Sequence, residues 1–291
     1  MSPVYEFVER PDLESPALVV VLDGWVDAGL GATNALASLL GAMDTVTVVV
    51  FDSDELLDHR ARRPIMHLAD GVNSGLSWPS IELRAASDGD GNDVLLLVGA
   101  EPDHRWRAFT GAVVDLALEF GARMVVGLGA YPAPVPHTRP SRLAVAATSP
   151  ELAASGPYLR ATLDVPSGVQ AAIERRAAEV GLPALGLWAQ VPHYAAAMPY
   201  PAASAALVEG LADIAGLTLD ASNLRDQAAV TRDRINALIA GNAEHREMVR
   251  RLEEQADQLA ASSAGGLGLG PLPSGDELAA ELERFLRDQG T

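Results

Sequence analysis

Short runs of valine and leucine alternate along this chain with longer segments of helical period, and this pattern limits its fold more than any other feature. The runs do not alternate between polar and apolar residues, which is typical of strands that are covered by helices on both faces. The sequence therefore predicts an α/β fold with a mostly parallel sheet and helices on both faces. The candidate strands are residues 17–22, 45–51, 93–98, 123–128, 143–148 and 184–190, and the main candidate helices are residues 30–40, 106–120, 167–180 and 201–215.

The texture of the chain changes near residue 219. We predict an α/β core over residues 1–218, a helical segment over 219–262, a flexible linker over 263–275 and an amphipathic helix over 276–291. In the helical segment, apolar residues at alternating steps of four and three form a coiled-coil-like seam from Leu224 to Leu259. Gly241 and Asn242 interrupt this seam, so we favour a hairpin of two helices over one long helix.

The charge balance excludes several classes of function. The chain has 39 acidic residues against 21 basic ones, and it has no lysine and no cysteine. A net charge of -18 repels a phosphate backbone, so neither nucleic acid nor an anionic membrane is expected as a partner. No apolar run is long enough to span a bilayer, and no secretory signal is visible, so we expect a cytoplasmic protein.

Polar side chains follow most of the predicted strands. The carboxyl ends of parallel strands meet at one edge of a sheet, where ligands bind in open α/β folds. Aspartate, glutamate, histidine and tyrosine are also the residues that serve as acids and bases. The alternative is that strands simply end in polar residues where the chain leaves the core. The candidate cleft residues are Asp23, Asp27, Glu101, His104, Tyr131, His137, Arg139, His193 and Tyr194.

No cofactor or metal ion is predicted for this edge. The glycine-rich turn of residues 24–31 lacks the lysine of a phosphate-binding loop, so it predicts a tight turn into the first helix. The acidic stretch of residues 88–93 lacks the glycine and the final carboxylate of a calcium loop, and it predicts a tight hairpin turn. We expect the four tryptophans in the core or in the walls of the crevice.

A stiff loop follows the fourth predicted strand. His137, Thr138 and Arg139 stand between Pro136 and Pro140, and these prolines restrict the backbone of the residues around them. Such a loop suits binding, and we predict that it lays His137 and Arg139 across the strand ends beside Asp23. The alternative is that Arg139 pairs with an acidic neighbour while His137 caps the loop.

Three motifs carry a resemblance to a known family. They are DGWVDAG at residues 23–29, GLGAYPAPVPHTRP at 127–140 and VPHY at 191–194. With them the chain resembles the PAC2 family, the proteasome-assembly-chaperone-like proteins, in their actinobacterial form. The resemblance implies a mixed sheet similar to that of purine nucleoside phosphorylases and related hydrolases. It also implies a homo-oligomer, with proteasome-related proteins as candidate partners.

The function that we predict is that of a non-enzymatic, homo-oligomeric interaction module, with a trimer as the favoured assembly. The alternative is a hydrolase or phosphorylase that acts on a small, neutral or cationic molecule in the crevice, with catalytic residues not assigned. An enzyme should bury Asp23, Glu101, His137 and His193 around one cavity. A scaffold should scatter these residues or fill the crevice with apolar side chains.

Overall fold

A computed structural model of the protein describes residues 4–264, and its centre is one large sheet of eight strands. The strands of this sheet are β1 (Tyr5–Phe7), β2 (Ala17–Asp23), β3 (Val46–Phe51), β6 (Ile81–Ser87), β7 (Asp93–Ala100), β8 (Met124–Ala133), β9 (Leu143–Ala147) and β10 (Ala184–Pro192). Two further strands, β4 (Ile65–Ala69) and β5 (Val72–Ser77), form a separate hairpin. The helices are α1 (Gly31–Ala42), α2 (Ser53–Leu56), α3 (Trp106–Glu119), α4 (Pro150–Ala153), α5 (Val169–Glu179), α6 (Pro201–Ala215), α7 (Ser222–Ala240) and α8 (Ala243–Ala264).

The order of strands in the large sheet is β1-β3-β6-β7-β2-β8-β10-β9. The central pairs β7/β2, β2/β8 and β8/β10 are parallel. The flanking pairs, from β1 to β7 on one side and β10/β9 on the other, are antiparallel. The predicted mixed, mostly parallel α/β fold is confirmed, since β3 also runs in the direction of the four central strands.

Helices cover both faces of the sheet, and successive residues of the central strands pack on opposite faces. Val19 and Val21 of β2 face the core that includes α1 and α6. Leu18 and Val20 face the core that includes α3 and α5. Because both faces are dry, every one of these positions is apolar, which explains the continuous runs in the sequence.

Strands β1, β4, β5 and β6 and the short helices α2 and α4 were not predicted from the sequence, and β2, β7, β8 and β10 extend beyond their predicted ends. The hairpin β4–β5 lies outside the large sheet and all but one of its residues are exposed, so its sequence carries no buried run. Strand β8 continues past residue 128 to Ala133, because its parallel pairing with β10 continues through Tyr131 and Pro132. By contrast, the tight turn predicted for the acidic stretch is confirmed, since it joins β6 to β7 and its Asp88 side chain accepts backbone hydrogen bonds from Asp90 and Asn92.

The C-terminal part forms two helices, α7 and α8, which meet at Gly241 and Asn242. Apolar seam residues of both helices, Leu224, Ile235, Val249 and Leu252, are buried within the protein itself. The predicted final helix and most of the predicted linker lie outside the described residues. None of the helices within residues 4–264 combines the length and the apolar character that a membrane span needs.

Candidate functional site

A cleft of about 950 Å³ opens at the carboxyl ends of β2, β7 and β8. Four of the nine predicted site residues line it, namely Asp23, Asp27, Glu101 and Tyr131. Asp23 ends β2 and is exposed at the mouth, whereas Glu101 follows β7 and is buried. The parallel centre of the sheet therefore brings these four together, as the sequence predicts for strand ends.

The floor of the cleft depends on two glycines in β8. Gly127 and Gly129 leave room for side chains that lie flat over the sheet, those of Gln170 and Trp188. A Cβ atom at Gly129 would lie 2.4 Å from the Trp188 ring, and one at Gly127 would lie 2.1 Å from the Gln170 amide. Larger residues would therefore displace the floor, so glycine is required here by close approach rather than by backbone angle.

Asp27 occupies the amino end of α1, which borders the cleft. Its Oδ1 accepts a hydrogen bond from the Ala32 amide at 2.8 Å, and its Oδ2 accepts bonds from the Thr33 amide and hydroxyl at 2.9 and 2.7 Å. These amides are the donors with which a helix amino end could hold a phosphate. The carboxylate of Asp27 satisfies them within the chain, in agreement with the tight turn predicted for this segment.

Glu101 does the same for α5. Its carboxylate accepts a hydrogen bond from the Val169 amide at the start of that helix, and its backbone amide donates to the Asp23 carbonyl at 2.7 Å. Both helix amino ends at this cleft therefore carry a carboxylate of the protein. An external anion would have to displace one of them.

Glu174 is a buried acidic side chain of the cleft that was not predicted from the sequence. It lies on α5 at the inner part of the cleft, is only 6% exposed, and accepts one hydrogen bond, from Gln170 Nε2 at 3.0 Å. Burial raises the pKa of its carboxyl to about 7, and the Gln170 hydrogen bond opposes this only in part. Its sequence signal is weak: an acidic residue beside Ile173, which faces the core.

Tyr131, Trp188 and Gln190 complete the inner wall. Tyr131 and Gln190 are register partners in β8 and β10, so their side chains are neighbours on one face of the sheet. Burial raises the pKa of the Tyr131 hydroxyl, so it stays protonated and can donate. The prediction of tryptophans in the core or the crevice walls is confirmed for Trp25 and Trp188, which line this cleft, and for Trp106, which packs against the core, but it is wrong for Trp78, which is 54% exposed and outside the cleft.

The remaining predicted residues lie elsewhere. His137 is 4% exposed and lies against Tyr194 and α7. Its backbone amide donates to the Tyr194 hydroxyl at 2.8 Å, its Nδ1 lies 2.7 Å from the same hydroxyl, and its Nε2 lies 2.9 Å from Asn236 Oδ1. Asn236 Oδ1 is an acceptor for an Nε2 proton and the Tyr194 hydroxyl can donate to Nδ1, so these contacts fit a neutral imidazole with its proton on Nε2. Burial accordingly lowers the pKa of His137.

Arg139 contacts the second helix of the hairpin. Its Nε and Nη2 donate to the two carboxylate oxygens of Asp257, each at 2.8 Å. The prediction that the stiff loop lays His137 and Arg139 across the cleft is therefore wrong. The loop begins only after the extended β8, and it docks against α7 and α8 instead. Of the two alternatives for Arg139, pairing with an acidic neighbour is confirmed.

His193 and His104 also lie outside the cleft. The ring of His193 packs edge to face on Tyr194, with centroids 5.3 Å apart. His104 lies in the loop before α3, and its backbone amide donates to the Leu56 carbonyl at 3.0 Å. The described residues of this cleft thus include no histidine, and no cluster within residues 4–264 has the ligands for a metal ion.

The fold and the cleft define an α/β protein whose sheet ends in an open, acidic crevice. The model of the PAC2 family matches residues 21–239, and the chain belongs to this family. None of the curated proteins compared with the chain matches it.

Three solved structures are similar over most of the chain. A Mycobacterium tuberculosis protein of unknown function, Rv2714, is 35% identical, with a TM-score of 0.83 over 90% of this chain and 93% of its own. A Corynebacterium glutamicum protein of unknown function is 31% identical, with a TM-score of 0.83 over 88% and 97%. The M. tuberculosis proteasome-assembly chaperone homologue Rv2125 is 31% identical, with a TM-score of 0.74 over 80% and 99%.

Proposed function

We propose that the protein is a non-enzymatic, homo-oligomeric interaction module with a proteasome-related, chaperone-like role in the cytoplasm. The observation that carries this proposal is the similarity to Rv2125, which is described as a proteasome-assembly chaperone homologue and aligns over 80% of this chain. A net charge of -18 supports protein partners rather than nucleic acid or anionic membranes.

The chemistry of the cleft supports a binding role over the alternative of a phosphorylase or hydrolase. A phosphorylase needs a site for phosphate, yet Asp27 and Glu101 fill both helix amino ends at this cleft. No arginine or histidine is among the described residues that line it. A serine or threonine there has no imidazole to accept its proton, so the usual arrangement for nucleophilic hydrolysis is not assembled.

The hairpin β4–β5 supports the proposed homo-oligomer. Six large apolar side chains in or beside it are exposed, although such residues are normally buried or scattered. They are Ile65, Met66, Leu68, Val72, Leu76 and Trp78. We propose that this hairpin, rather than the seam of α7 and α8, joins the subunits, with a trimer as the favoured assembly.

Affinity capture of the tagged, full-length protein from its source cell, followed by native mass spectrometry, tests the role. We expect a homo-oligomer that carries proteasome subunits or their assembly intermediates. A tagged variant with Met66→Asp and Leu76→Asp serves as a control for contacts that need the oligomer. A homo-oligomer that captures no proteasome-related protein under native conditions would contradict the chaperone-like role and leave the oligomer standing.

A further inference from the structure

The cleft combines features that rarely occur together by chance. It is large enough for a drug-sized molecule, and aliphatic and aromatic side chains form most of its described lining. Its titratable groups are four carboxyls and a tyrosine, and no basic residue is among the described lining residues. Arg62 pairs with Asp103 outside the lining, and its contact with a described lining residue is a hydrogen bond to the backbone carbonyl of Asp23 at 3.3 Å.

Of the four carboxyls, two are already engaged by backbone amides and one is exposed to water. Asp27 and Glu101 hold the amino ends of α1 and α5, and Asp23 stands at the mouth. Glu174 is different, because it is buried and accepts only one hydrogen bond from the described residues, through Oε1. Its Oε2 lacks a donor among them. Because Oε2 is open to the cleft and not sealed in the core, a donor from outside the chain can reach it.

We infer that this cleft binds a small organic cation, an amine with an apolar body, whose nitrogen donates to Glu174 and whose body lies between Trp25 and Trp188. A protonated amine is the donor that matches an unpaired carboxylate. The tryptophan faces add attraction for the same charge. The glycines under Trp188 and Gln170 keep the floor low, so that a ligand can reach Glu174 from the mouth.

The same residues argue against an anionic ligand. A carboxylate or phosphate group in the cleft would meet Glu174 without a compensating cation, in a region where apolar walls weaken the screening by water. The helix amino ends that usually receive such groups are already occupied. This binding site goes beyond the proposed assembly role and does not depend on the oligomer.

Three probes of equal shape and different charge test the proposal by isothermal titration calorimetry at about pH 8, where the Glu174 carboxyl is mostly ionised. They are phenylbutylamine, phenylbutanol and phenylbutanoate. We expect the amine to bind at least about tenfold more tightly than the alcohol, as a charge-assisted hydrogen bond predicts, and the anion to bind weakest.

Matched variants assign the effect to its residues. Glu174→Gln should reduce the affinity for the amine to that for the alcohol, and Trp25→Ala, at a position that is 44% exposed, should weaken both. Glu179→Gln makes the same chemical change on an exposed residue of α5 and should leave all three affinities unaltered. The proposal is overturned if no probe binds at millimolar concentration, if the anion binds as tightly as the amine, or if Glu174→Gln leaves amine binding unchanged. Repeating the titration with the Met66→Asp, Leu76→Asp variant separates this result from the fate of the oligomer.

Discussion

Glu174 shows how a single residue can combine a cost in stability with a use in binding. Burial in the folded protein favours the neutral acid, although the hydrogen bond from Gln170 partly offsets this by favouring the ionised form. In the unfolded chain the same carboxyl is solvated and ionises near 4.5. Such a group lowers the stability of the folded state at neutral pH, and residues of this kind are frequent at functional sites.

Replacing Glu174 by glutamine should therefore stabilise the protein in a pH-dependent way. Because the folded-state pKa is raised to about 7, stability is lost as the pH increases from about 4.5 to about 7 and then levels off. Glutamine keeps the shape and never ionises, so the variant should match the wild type at acidic pH. At about pH 8 its free energy of unfolding should be larger by up to roughly 3 kcal/mol. Thermal melts across this pH range, with Glu179→Gln as the control, measure the difference. Parallel profiles for wild type and Glu174→Gln would show that burial does not perturb this carboxyl.

Prediction from the sequence succeeded for some residues of the cleft and failed for others, for a physical reason. Asp23, Glu101 and Tyr131 could be placed together, since the end of a parallel strand fixes where a side chain lies. Glu174 and Gln170 come from a helix that packs over the sheet, and their position depends on the crossing of α5 over Gly127 of β8 and Gly186 of β10. That crossing is a tertiary property with no local signature.

At the scale of elements, the contact between the 136–140 loop and the α7–α8 hairpin fixes the positions of the loop's polar side chains. His137 bonds to Asn236 of α7, and Arg139 bonds to Asp257 of α8. The prolines that stiffen the loop thus present it to the hairpin of its own chain. The two contacts differ in burial, so they should differ in their contribution to stability.

We expect His137→Ala to lower the melting temperature by several degrees, because the buried Tyr194 hydroxyl and the Asn236 side-chain carbonyl each lose their bond to the imidazole, at a cost of about 1–3 kcal/mol. Arg139→Ala removes an exposed ion pair and should hardly change the melting temperature. Hydrogen exchange should nevertheless increase in α8 when Arg139 is replaced. Equal melting temperatures for the two variants would contradict this ranking of the contacts.

Most of the large elements were predictable where burial imposes a pattern, although β6 was missed despite its alternating burial. The central strands, α1, α3, α5 and α6 all follow from apolar periodicity, and α6 begins and ends where the sequence predicts. The hairpin β4–β5 was missed because its residues pack into no core of the described protomer. Its sequence therefore lacks the alternation of polar and apolar residues that would predict a half-buried strand. In the homo-oligomer that we propose, a second subunit would bury these exposed apolar residues.

At the scale of the whole molecule, the exposed hairpin and the net charge of -18 act in opposite directions. Like-charged protomers repel each other, so any assembly has to gain its free energy from apolar contact over a small area. The hairpin offers such an area because it projects from the large sheet instead of joining it. The acidic remainder of the surface then disfavours contacts at other places, which favours a closed assembly over open aggregation.

Substituting the paired hairpin residues Met66 and Leu76 by aspartate should therefore dissociate the protein. The two are register partners in β4 and β5, and they are 51% and 45% exposed. Their loss should thus cost the fold of a protomer little while it places two charges in the interface. Sedimentation equilibrium at tens of micromolar should give an oligomer for the wild type and a 30.4 kDa monomer for the double variant, with similar melting temperatures at low concentration. Val230→Asp, at a position of α7 that is 71% exposed, makes the same kind of change away from the hairpin and should remain oligomeric. A wild-type monomer would remove the oligomer altogether, whereas a double variant that stays assembled would assign the interface to another surface.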